Sequence, residues 1–336
     1  MKPIHIFRFL ILTACIALVY ACNKSNTNSP GGNNTGTTAD LQTQADDQSA
    51  VSAENEAIAN DANTVLYGTP AIAGTSAEVV GSGATAVNST TAVNGLNGPI
   101  FGLICDASVV VDTTGGHRTI TITYNGSNCW GNRTRTGVVV LTIPGGVHWA
   151  DPGATVSASI QNLVITRVRD NKTITVNGNK TFTNVSGGLL KNLATLGTIT
   201  HTVSGNITVT FDNGSQREWS ISKQRVFTYN NGIVITTTGT HTDSLGNTNV
   251  AEWGVNRNGI GFESQISEPK VFRQDCDFRL VSGQNIVLRT DSVSSQITYG
   301  LDANGDPTSC PGTGTYYLKV VVTKANGVIL TKILPY

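Results

Sequence analysis

The feature that most constrains this chain is an alternation of apolar and polar residues that recurs from about residue 99 onward. In residues 118–124, Ile120, Ile122 and Tyr124 fall on one side and threonines on the other. The pattern returns in residues 173–176, 198–203, 206–211 and 317–323. Strict alternation indicates half-buried antiparallel strands, because successive side chains of a strand point to opposite faces.

Turn signals separate these alternating segments. Asn-Gly pairs begin at Asn125, Asn213, Asn231, Asn258 and Asn326, and this pair suits the two positive φ angles of a type I′ hairpin. Regular spacing with hairpin turns predicts roughly 14 strands. We therefore predict an all-β fold over residues 99–336, an antiparallel meander that forms a sandwich or a strongly curved sheet. Its apolar face needs a cover, most simply a second sheet about 10 Å away.

Residues 39–66 are predicted to form one N-terminal helix. Asp40 is a plausible N-cap. Apolar residues recur at helical spacing at Leu41, Ala45, Val51, Ile58, Ala62 and Val65. This apolar stripe is thin and rich in alanine, so the helix requires a partner surface. Residues 67–98 are small, polar and rich in glycine, and they are predicted to be a linker.

Charge is distributed unevenly along the chain. Residues 25–117 contain nine acidic residues and no Lys or Arg, whereas residues 118–336 contain 19 basic and 13 acidic residues. Either the acidic N-terminal part lies along the basic β part, or the two are solvated surfaces that never meet. The net charge of zero gives no general attraction to nucleic acid, which we do not expect as a partner.

Six cysteines are present, of which Cys15 and Cys22 lie at the N-terminus. The other four, an even number, predict two disulfides in an oxidising compartment. Three pairings exist, and we favour Cys105–Cys129 and Cys276–Cys310 because each joins neighbouring strands of a meander. A zinc site is the alternative, but the Cys-x-x-Cys spacing of such sites is absent.

The first 21 residues have the pattern of a signal peptide. Lys2 and Arg8 precede an apolar run over residues 9–20, which is too short to span about 30 Å of hydrocarbon as a helix. The run ends in Leu-Val-Tyr-Ala-Cys22, which resembles the lipobox of bacterial lipoproteins. The resemblance implies diacylglycerol on the Cys22 sulfur, cleavage before Cys22, and a fatty acyl group such as palmitate on the new N-terminus. The alternative is an ordinary signal peptide.

Residues 22–38 follow as a polar, low-complexity segment and predict a flexible tether between the lipid and the helix. The residue after Cys22 is Asn23 and not aspartate. The lipoprotein resemblance then implies the outer membrane, because aspartate at that position retains lipoproteins at the inner membrane. No acidic cluster follows Cys22, which favours the periplasmic face over the cell surface.

Three segments carry a wider resemblance. They are residues 41–48, residues 104–137 around Cys105 and Cys129, and residues 299–336 around Cys310. Each resembles a recurrent segment of uncharacterised β-rich lipoproteins that are abundant in Bacteroidota. This resemblance covers most of the chain beyond Cys22 and supports its extracytoplasmic location. It implies no activity and no site residues.

Asp302, Asn304 and Asp306 are a candidate calcium site because they place oxygen ligands at alternate positions, as calcium-binding loops do. Pro307 departs from the EF-hand pattern, and no downstream glutamate completes it. The alternative is a plain Asn-Gly turn.

Two histidines share strand parity with apolar neighbours, and they are His201 and His241. They are candidates for metal ligands or for a proton-transfer pair, or else they are hydrogen-bonded core residues. Paired arginines at alternate positions are suited to an anionic glycan or phosphate, or to a solvated strand face, and these pairs are Arg133 with Arg135 and Arg167 with Arg169. Four tryptophans are candidates for stacking on sugars or for the core: Trp130, Trp149, Trp219 and Trp253.

The sequence contains no Gly-x-Ser-x-Gly, P-loop or His-Glu-x-x-His motif. We therefore predict a lipid-anchored cell-envelope protein, without a cofactor, that has a non-catalytic structural or binding role. The expected partners are the membrane, through the lipid on Cys22, and an envelope glycan or protein. One alternative is a surface glycan- or protein-binding module, marked by exposed Trp and Arg in one groove. The other is a hydrolase, which requires a pocket with two carboxylates or a His–acid pair.

Overall fold

A computed structural model describes residues 38–74, 85–88, 104–114, 116–310 and 314–336 of the chain, with side chains from Asp40 onward and backbone alone at 85–88. The predicted signal peptide over residues 1–21, Cys22 and nearly all of the predicted tether lie outside the described residues. The described residues therefore comprise the predicted helix, part of the predicted linker and most of the β domain.

The predicted N-terminal helix is present and slightly longer than expected. Helix α1 runs Thr38–Gly68, and a short helix α2 follows at Pro70–Ala73. A third short helix, α3, spans Leu193–Leu196. Part of the predicted linker over residues 67–98 is thus ordered structure. Pro70 at the start of α2 provides a φ angle suited to a first helical turn, and Ile72 is fully buried, so this segment packs as part of the core.

The described residues contain fifteen strands. They are β1 (Thr85–Asn88), β2 (Ala107–Asp112), β3 (His117–Ser127), β4 (Arg133–Pro144), β5 (Ala154–Arg167), β6 (Thr173–Asn184), β7 (Thr198–Thr210), β8 (Gln216–Tyr229), β9 (Ile233–Gly239), β10 (Val250–Val255), β11 (Gly261–Arg273), β12 (Arg279–Arg289), β13 (Ser294–Leu301), β14 (Tyr317–Thr323) and β15 (Ile329–Pro335).

All fifteen strands belong to one antiparallel sheet in chain order. The exception is β9, which pairs with β8 and β11 while β10 also pairs with both. The prediction of an all-β antiparallel meander preceded by one helix is therefore confirmed, in the form of a curved sheet. The second sheet that was expected to cover the apolar face is not present in the described part of the chain. Helix α1 covers that face instead. Residues on all sides of this helix are buried, as expected for a helix enclosed by the sheet.

The curvature of the sheet is visible in its contacts. Arg169, just after β5, donates a hydrogen bond to the carbonyl oxygen of Pro335 at the end of β15, so strands far apart in the sheet order approach each other. A bulge bends β4 against β5, where Gly137 has φ +126° and a Cβ would lie 2.3 Å from the carbonyl oxygen of Asn162. Glycines and bulges of this kind allow a sheet to bend sharply.

Helix α1 fills the concave side of the sheet. Between Gln44 and Tyr67, Ala53 is the single residue classed as exposed. Val51, Ile58 and Leu66 have no more than 1 % of their surface exposed, and they belong to the same core as the inward residues of the strands. The thin apolar stripe of α1 is therefore buried together with polar residues on its other sides.

Both predicted disulfides are confirmed. Cys105, just before β2, pairs with Cys129 in the β3–β4 turn, and Cys276 pairs with Cys310. The zinc alternative is wrong for these four cysteines because their sulfurs bond to one another.

Candidate functional site

The described residues with the most distinctive chemistry lie at the interface between α1 and the inner face of the sheet. Acidic and amide side chains of α1 meet basic side chains from strands on several sides of the helix. The acidic N-terminal part of the chain thus lies along the basic β part. The alternative, two solvated surfaces that never meet, is wrong. We call this interface the helix–sheet charge network.

The middle of the network is built around Lys223 on β8. Its Nζ lies 2.9 Å from Oε1 of Glu56 on α1 and 2.7 Å from Oε1 of Glu252 on β10. Arg225 Nε lies 3.5 Å from Oε2 of Glu56. All four side chains are nearly inaccessible to solvent, so each charge depends on its partners.

The pKa values of this group follow from those contacts. Burial opposes ionisation of Glu56, but the charges of Lys223 and Arg225 outweigh it and lower the pKa of Glu56 to about 2. Burial likewise opposes the charged form of Lys223. The negative charges of Glu252 and Glu56 outweigh this effect and raise the pKa of Lys223. Opposite charges at hydrogen-bond distance thus keep both sides ionised.

The N-terminal end of α1 is held by a cluster around Asp46. Its carboxylate accepts hydrogen bonds from Arg167 at 2.8 and 2.6 Å, from Arg169 at 3.0 Å and from Lys172 at 3.1 Å. The neighbouring Asp47 accepts from Arg257 Nη2 at 2.6 Å. Bidentate contacts of this type fix the direction of the helix as well as its position.

The C-terminal half of α1 is held by Arg135 on β4. Its guanidinium donates to Asp61 of α1 at 2.7 Å and to both carboxylate oxygens of Asp106 at 2.7 and 2.8 Å. The phenol of Tyr124 also donates to Asp61, at 2.8 Å. Two turns earlier in the helix, Glu54 pairs with Arg133 at 3.0 Å.

These contacts correct the interpretation of the two arginine pairs. Arg169 is exposed just after β5, whereas the other three arginines lie at the inner side. The anions of both pairs are carboxylates of this chain: Glu54, Asp61 and Asp106 for the first pair and Asp46 and Asp170 for the second. Neither a site for an external anion nor a solvated strand face describes Arg135, whose side chain is 4 % exposed.

The two candidate histidines have separate surroundings. His201 is buried, with its Nε2 at 3.0 Å from the Tyr67 hydroxyl and its ring against Trp149 and Phe227. Burial, followed by the charge of Arg225, lowers the pKa of His201 well below its ordinary value, so the ring is neutral at neutral pH. The ring of His241 stacks on Trp253 at 4.1 Å. These contacts support the interpretation of His201 as a hydrogen-bonded core residue.

The tryptophans differ in their exposure to solvent. Trp149 and Trp219 are core residues with at most 2 % exposure, and Trp130 is 53 % exposed in the β3–β4 turn. The indole of Trp219 donates to Glu252 at 3.3 Å and thus joins the charge network. The guanidinium groups of the predicted arginine pairs are bound to carboxylates of this chain, so these arginines do not support the exposed Trp and Arg groove that would mark a glycan-binding module.

The calcium candidate forms a tight turn. Oδ1 of Asp302 accepts backbone N–H bonds from Asn304 at 2.8 Å and from Asp306 at 3.0 Å. These bonds lower the pKa of Asp302. They also account for the residue pattern as an Asn-Gly turn, and the calcium site stays a prediction. Within the described ranges, one group of acidic, Cys and His side chains lies close together, Asp275 with Cys276 and Cys310, but the two sulfurs form a disulfide and offer no thiolate to a metal.

Two small hollows lie at the helix–sheet interface. The larger is lined by Leu41 and Gln44 of α1 and by Val287, Arg289 and Ile297 of the sheet. The smaller lies beside Glu56 and Lys223. Neither has room for more than about one water molecule, so the interface is filled by its own side chains.

Sequence analysis missed the three lysines at the centre of this interface, Lys180, Lys223 and Lys270. A signal for them existed. Each stands at the same parity as buried apolar neighbours of its strand, as Lys180 does between Val176 and Phe182. A basic residue in an inward position predicts an internal acidic or amide partner, because an unpaired buried charge is costly.

Comparison with protein-family models, with curated proteins and with solved structures finds no match for this chain. A search of the described residues for membrane-spanning helices also finds none of sufficient length and apolar character.

Proposed function

We propose that this chain is a lipid-anchored protein of the bacterial cell envelope with a non-catalytic structural or binding role. In this proposal Cys22 carries the lipid and the protein resides at the outer membrane. Of the two faces of that membrane, the periplasmic face is favoured over the cell surface as the location of the β domain. The two disulfides support an extracytoplasmic location, because disulfides persist in oxidising compartments.

The observation that carries the structural role is the position of α1. This helix follows the predicted tether directly and is buried along most of its length in the sheet. Its acidic side chains are held by Arg133, Arg135, Arg167, Lys223 and Arg257. A pull on the tether would therefore act on the core of the domain and not on a loose surface segment.

Membrane fractionation tests the anchor. Cys22→Ser should move the protein from the membrane to the soluble fraction, whereas Cys15→Ser, an equal change inside the predicted signal peptide, should leave it membrane-bound. Mass spectrometry of the mature N-terminal peptide should show acyl groups on Cys22. An unmodified N-terminus, or a Cys22→Ser protein that resists washing from the membrane, would contradict the proposal.

A second candidate function, a glycan-binding module, is favoured by the outer face of the sheet. The outward positions of β4–β8, all within the described residues, carry hydroxyl, amide and valine side chains together with one charged residue, Glu218. Register places a row of hydroxyls across seven neighbouring segments, at Thr119, Thr142, Ser157, Thr181, Ser204, Ser222 and Thr240. Neighbouring strands lie about 4.8 Å apart.

An uncharged hydrogen-bonding surface fits an uncharged polysaccharide better than an anionic one. We expect the protein to sediment with an insoluble neutral glycan such as cellulose, curdlan or mannan, and this binding should not weaken with added NaCl. Ser157→Lys with Ser204→Lys should abolish it, while Thr331→Lys on β15 should not. Failure to sediment with any of the three glycans would exclude this candidate, and protease treatment of intact cells would separate a surface location from a periplasmic one.

A further inference from the structure

Lys180 on β6 and Asn55 on α1 meet inside the charge network. The lysine Nζ lies 2.8 Å from the amide oxygen Oδ1 of Asn55, and the two residues are 125 positions apart in the chain. Lys180 is 1 % exposed and Asn55 is 4 % exposed. This contact joins the middle of the helix to the middle of the sheet.

The pair differs from the other contacts of the network because its lysine faces an amide. Lys223, on the neighbouring inner surface, has two carboxylates within 3 Å, whereas the described ion pairs include none to Lys180. Burial, followed by the like charge of Lys223, lowers the pKa of Lys180 to about 7. A large share of this side chain is therefore a neutral amine at neutral pH, and a neutral amine is a nucleophile.

The amide of Asn55 is arranged to complement that amine. Its oxygen is held by the lysine, and its nitrogen Nδ2 is buried without a hydrogen-bond partner among the described residues. A buried N–H group without a partner is unfavourable. Loss of this nitrogen from the interior would remove that unfavourable group.

We propose that Lys180 and Asn55 condense to an isopeptide bond that joins α1 covalently to the sheet. The neutral Nζ attacks Cγ of Asn55 and forms a new C–N bond, and the Cγ–Nδ2 bond breaks. The leaving nitrogen takes up the proton that the amine loses and departs as ammonia. The product is a secondary amide, and the reaction needs no oxidant, cofactor or second substrate. Because the fold already holds the two groups in contact, the reaction avoids the entropy cost of bringing free reactants together.

Glu56 is the carboxylate assigned to stabilising the positive charge that forms on the attacking nitrogen. It adjoins Asn55 in the helix, and it has the strongest effect of the acidic groups on the pKa of Lys180. One of its oxygens is held by Lys223, and the other, Oε2, is buried without a hydrogen-bond partner among the described residues. Because Lys223 and Arg225 lower the pKa of Glu56 to about 2, its carboxylate stays ionised and stabilises the positive charge on the attacking nitrogen, while the proton passes from that nitrogen to the leaving one.

Intact-mass measurement of the folded, reduced wild-type protein tests the proposal directly. We expect a mass that is lower than the sequence value by one ammonia. Lys180→Arg and Asn55→Ala should each restore the full mass. Lys270→Arg is the matched control, because Lys270 faces the Ser52 hydroxyl at 3.0 Å and has no amide to attack; it should keep the loss.

Peptide mapping separates this bond from succinimide formation at the Asn-Gly pairs, which also releases ammonia. Trypsin should leave residues 173–191 uncut at Lys180 and joined to the peptide of residues 25–118, which contains no internal Lys or Arg. Wild-type protein with native disulfides, full mass and normal cleavage after Lys180 would overturn the proposal. Glu56→Gln removes the charge that stabilises the attacking nitrogen and should slow the reaction at least about 10-fold; an unchanged rate would overturn the role of Glu56.

Discussion

The two faces of strands β4–β8 have opposite chemistry. The inner face carries Arg133, Arg135, Lys180, Lys223 and Arg225, and the outer face carries mainly threonine, serine, asparagine, glutamine and valine with one glutamate. Most soluble sheets place charges outward, where water solvates them at little cost. Here the charges face inward because a polar helix occupies the interior. This difference indicates that ion pairs position helix α1, because apolar contacts involve only part of its surface.

The largest effect should come from breaking the centre of the inner face. Lys223→Met leaves the Glu56 and Glu252 carboxylates buried without their shared cation, and such a change costs about 3–5 kcal/mol. Urea unfolding monitored by circular dichroism measures this free energy. The control is Lys319→Met on β14, a partly exposed lysine, which should change stability by less than about 0.5 kcal/mol. Equal losses of unfolding free energy for the two changes would show that Lys223 stabilises the fold no more than a partly exposed lysine does.

A smaller effect is expected at the N-terminal end of α1. Asp46→Asn weakens contacts with Arg167, Arg169 and Lys172 and should cost about 1.5–3 kcal/mol. The loss should shrink as NaCl is raised, because the carboxylate is partly open to solvent. On the outer face, Glu218→Gln is the matched change and should be nearly neutral. A salt-independent loss at Asp46 would contradict an electrostatic role.

The pH dependence of stability should reveal the inner lysines. Burial, and then Lys223, lowers the pKa of Lys270 to about 8 in the folded state, from 10.5 for an unperturbed lysine. Between these values the unfolded chain binds more protons than the folded one, so stability should rise with pH from about 8 to about 10.5, by at most about 1.4 kcal/mol per pH unit for this residue. Lys270→Met should flatten the rise in urea midpoints. An unchanged slope would mean that Lys270 is solvated.

The smallest effect should come from the outer face. Thr181→Val replaces one hydroxyl of the outer row and should change the unfolding free energy by less than about 0.5 kcal/mol, because water solvates this face in the folded and unfolded states. The comparison is sharpest with Lys180→Met, which lies next in the same strand and faces inward. If Thr181→Val destabilises as much as inner-face changes, another surface covers the outer face.

Local patterns predicted much of the fold. Alternation around Ile120, Ile122 and Tyr124 predicted strand β3, because a period of two is a property of one strand. The cysteine pairs followed from neighbouring strands of a meander. The place of α1 did not follow, because contacts such as Glu56 with Lys223 join residues 167 positions apart. The uneven charge along the chain indicated attraction between the two parts, and it contained no information on register or geometry.

The candidate site was harder to predict for the same reason. Arg135 and Arg167 were predicted either to bind an external anion or to lie on a solvated strand face, but their anions are Asp61, Asp106 and Asp46 of the same chain. An arginine pair on a strand has the same local pattern whether its partner is a ligand or a helix. To distinguish a ligand from a helix as the partner, one would compare the number of inward basic residues in the strands with the number of acidic residues in a helix that has only a thin apolar stripe.

Hydrogen–deuterium exchange of the full chain tests the central claim, that α1 lies inside the curved sheet, most directly. A helix with so thin an apolar stripe is marginal in water by itself. The structure therefore predicts that amides in residues 44–66 exchange as slowly as those of the central strand β7, because both become accessible on global unfolding. Exchange of residues 44–66 at the rate of a free peptide, while β7 stays protected, would contradict the account.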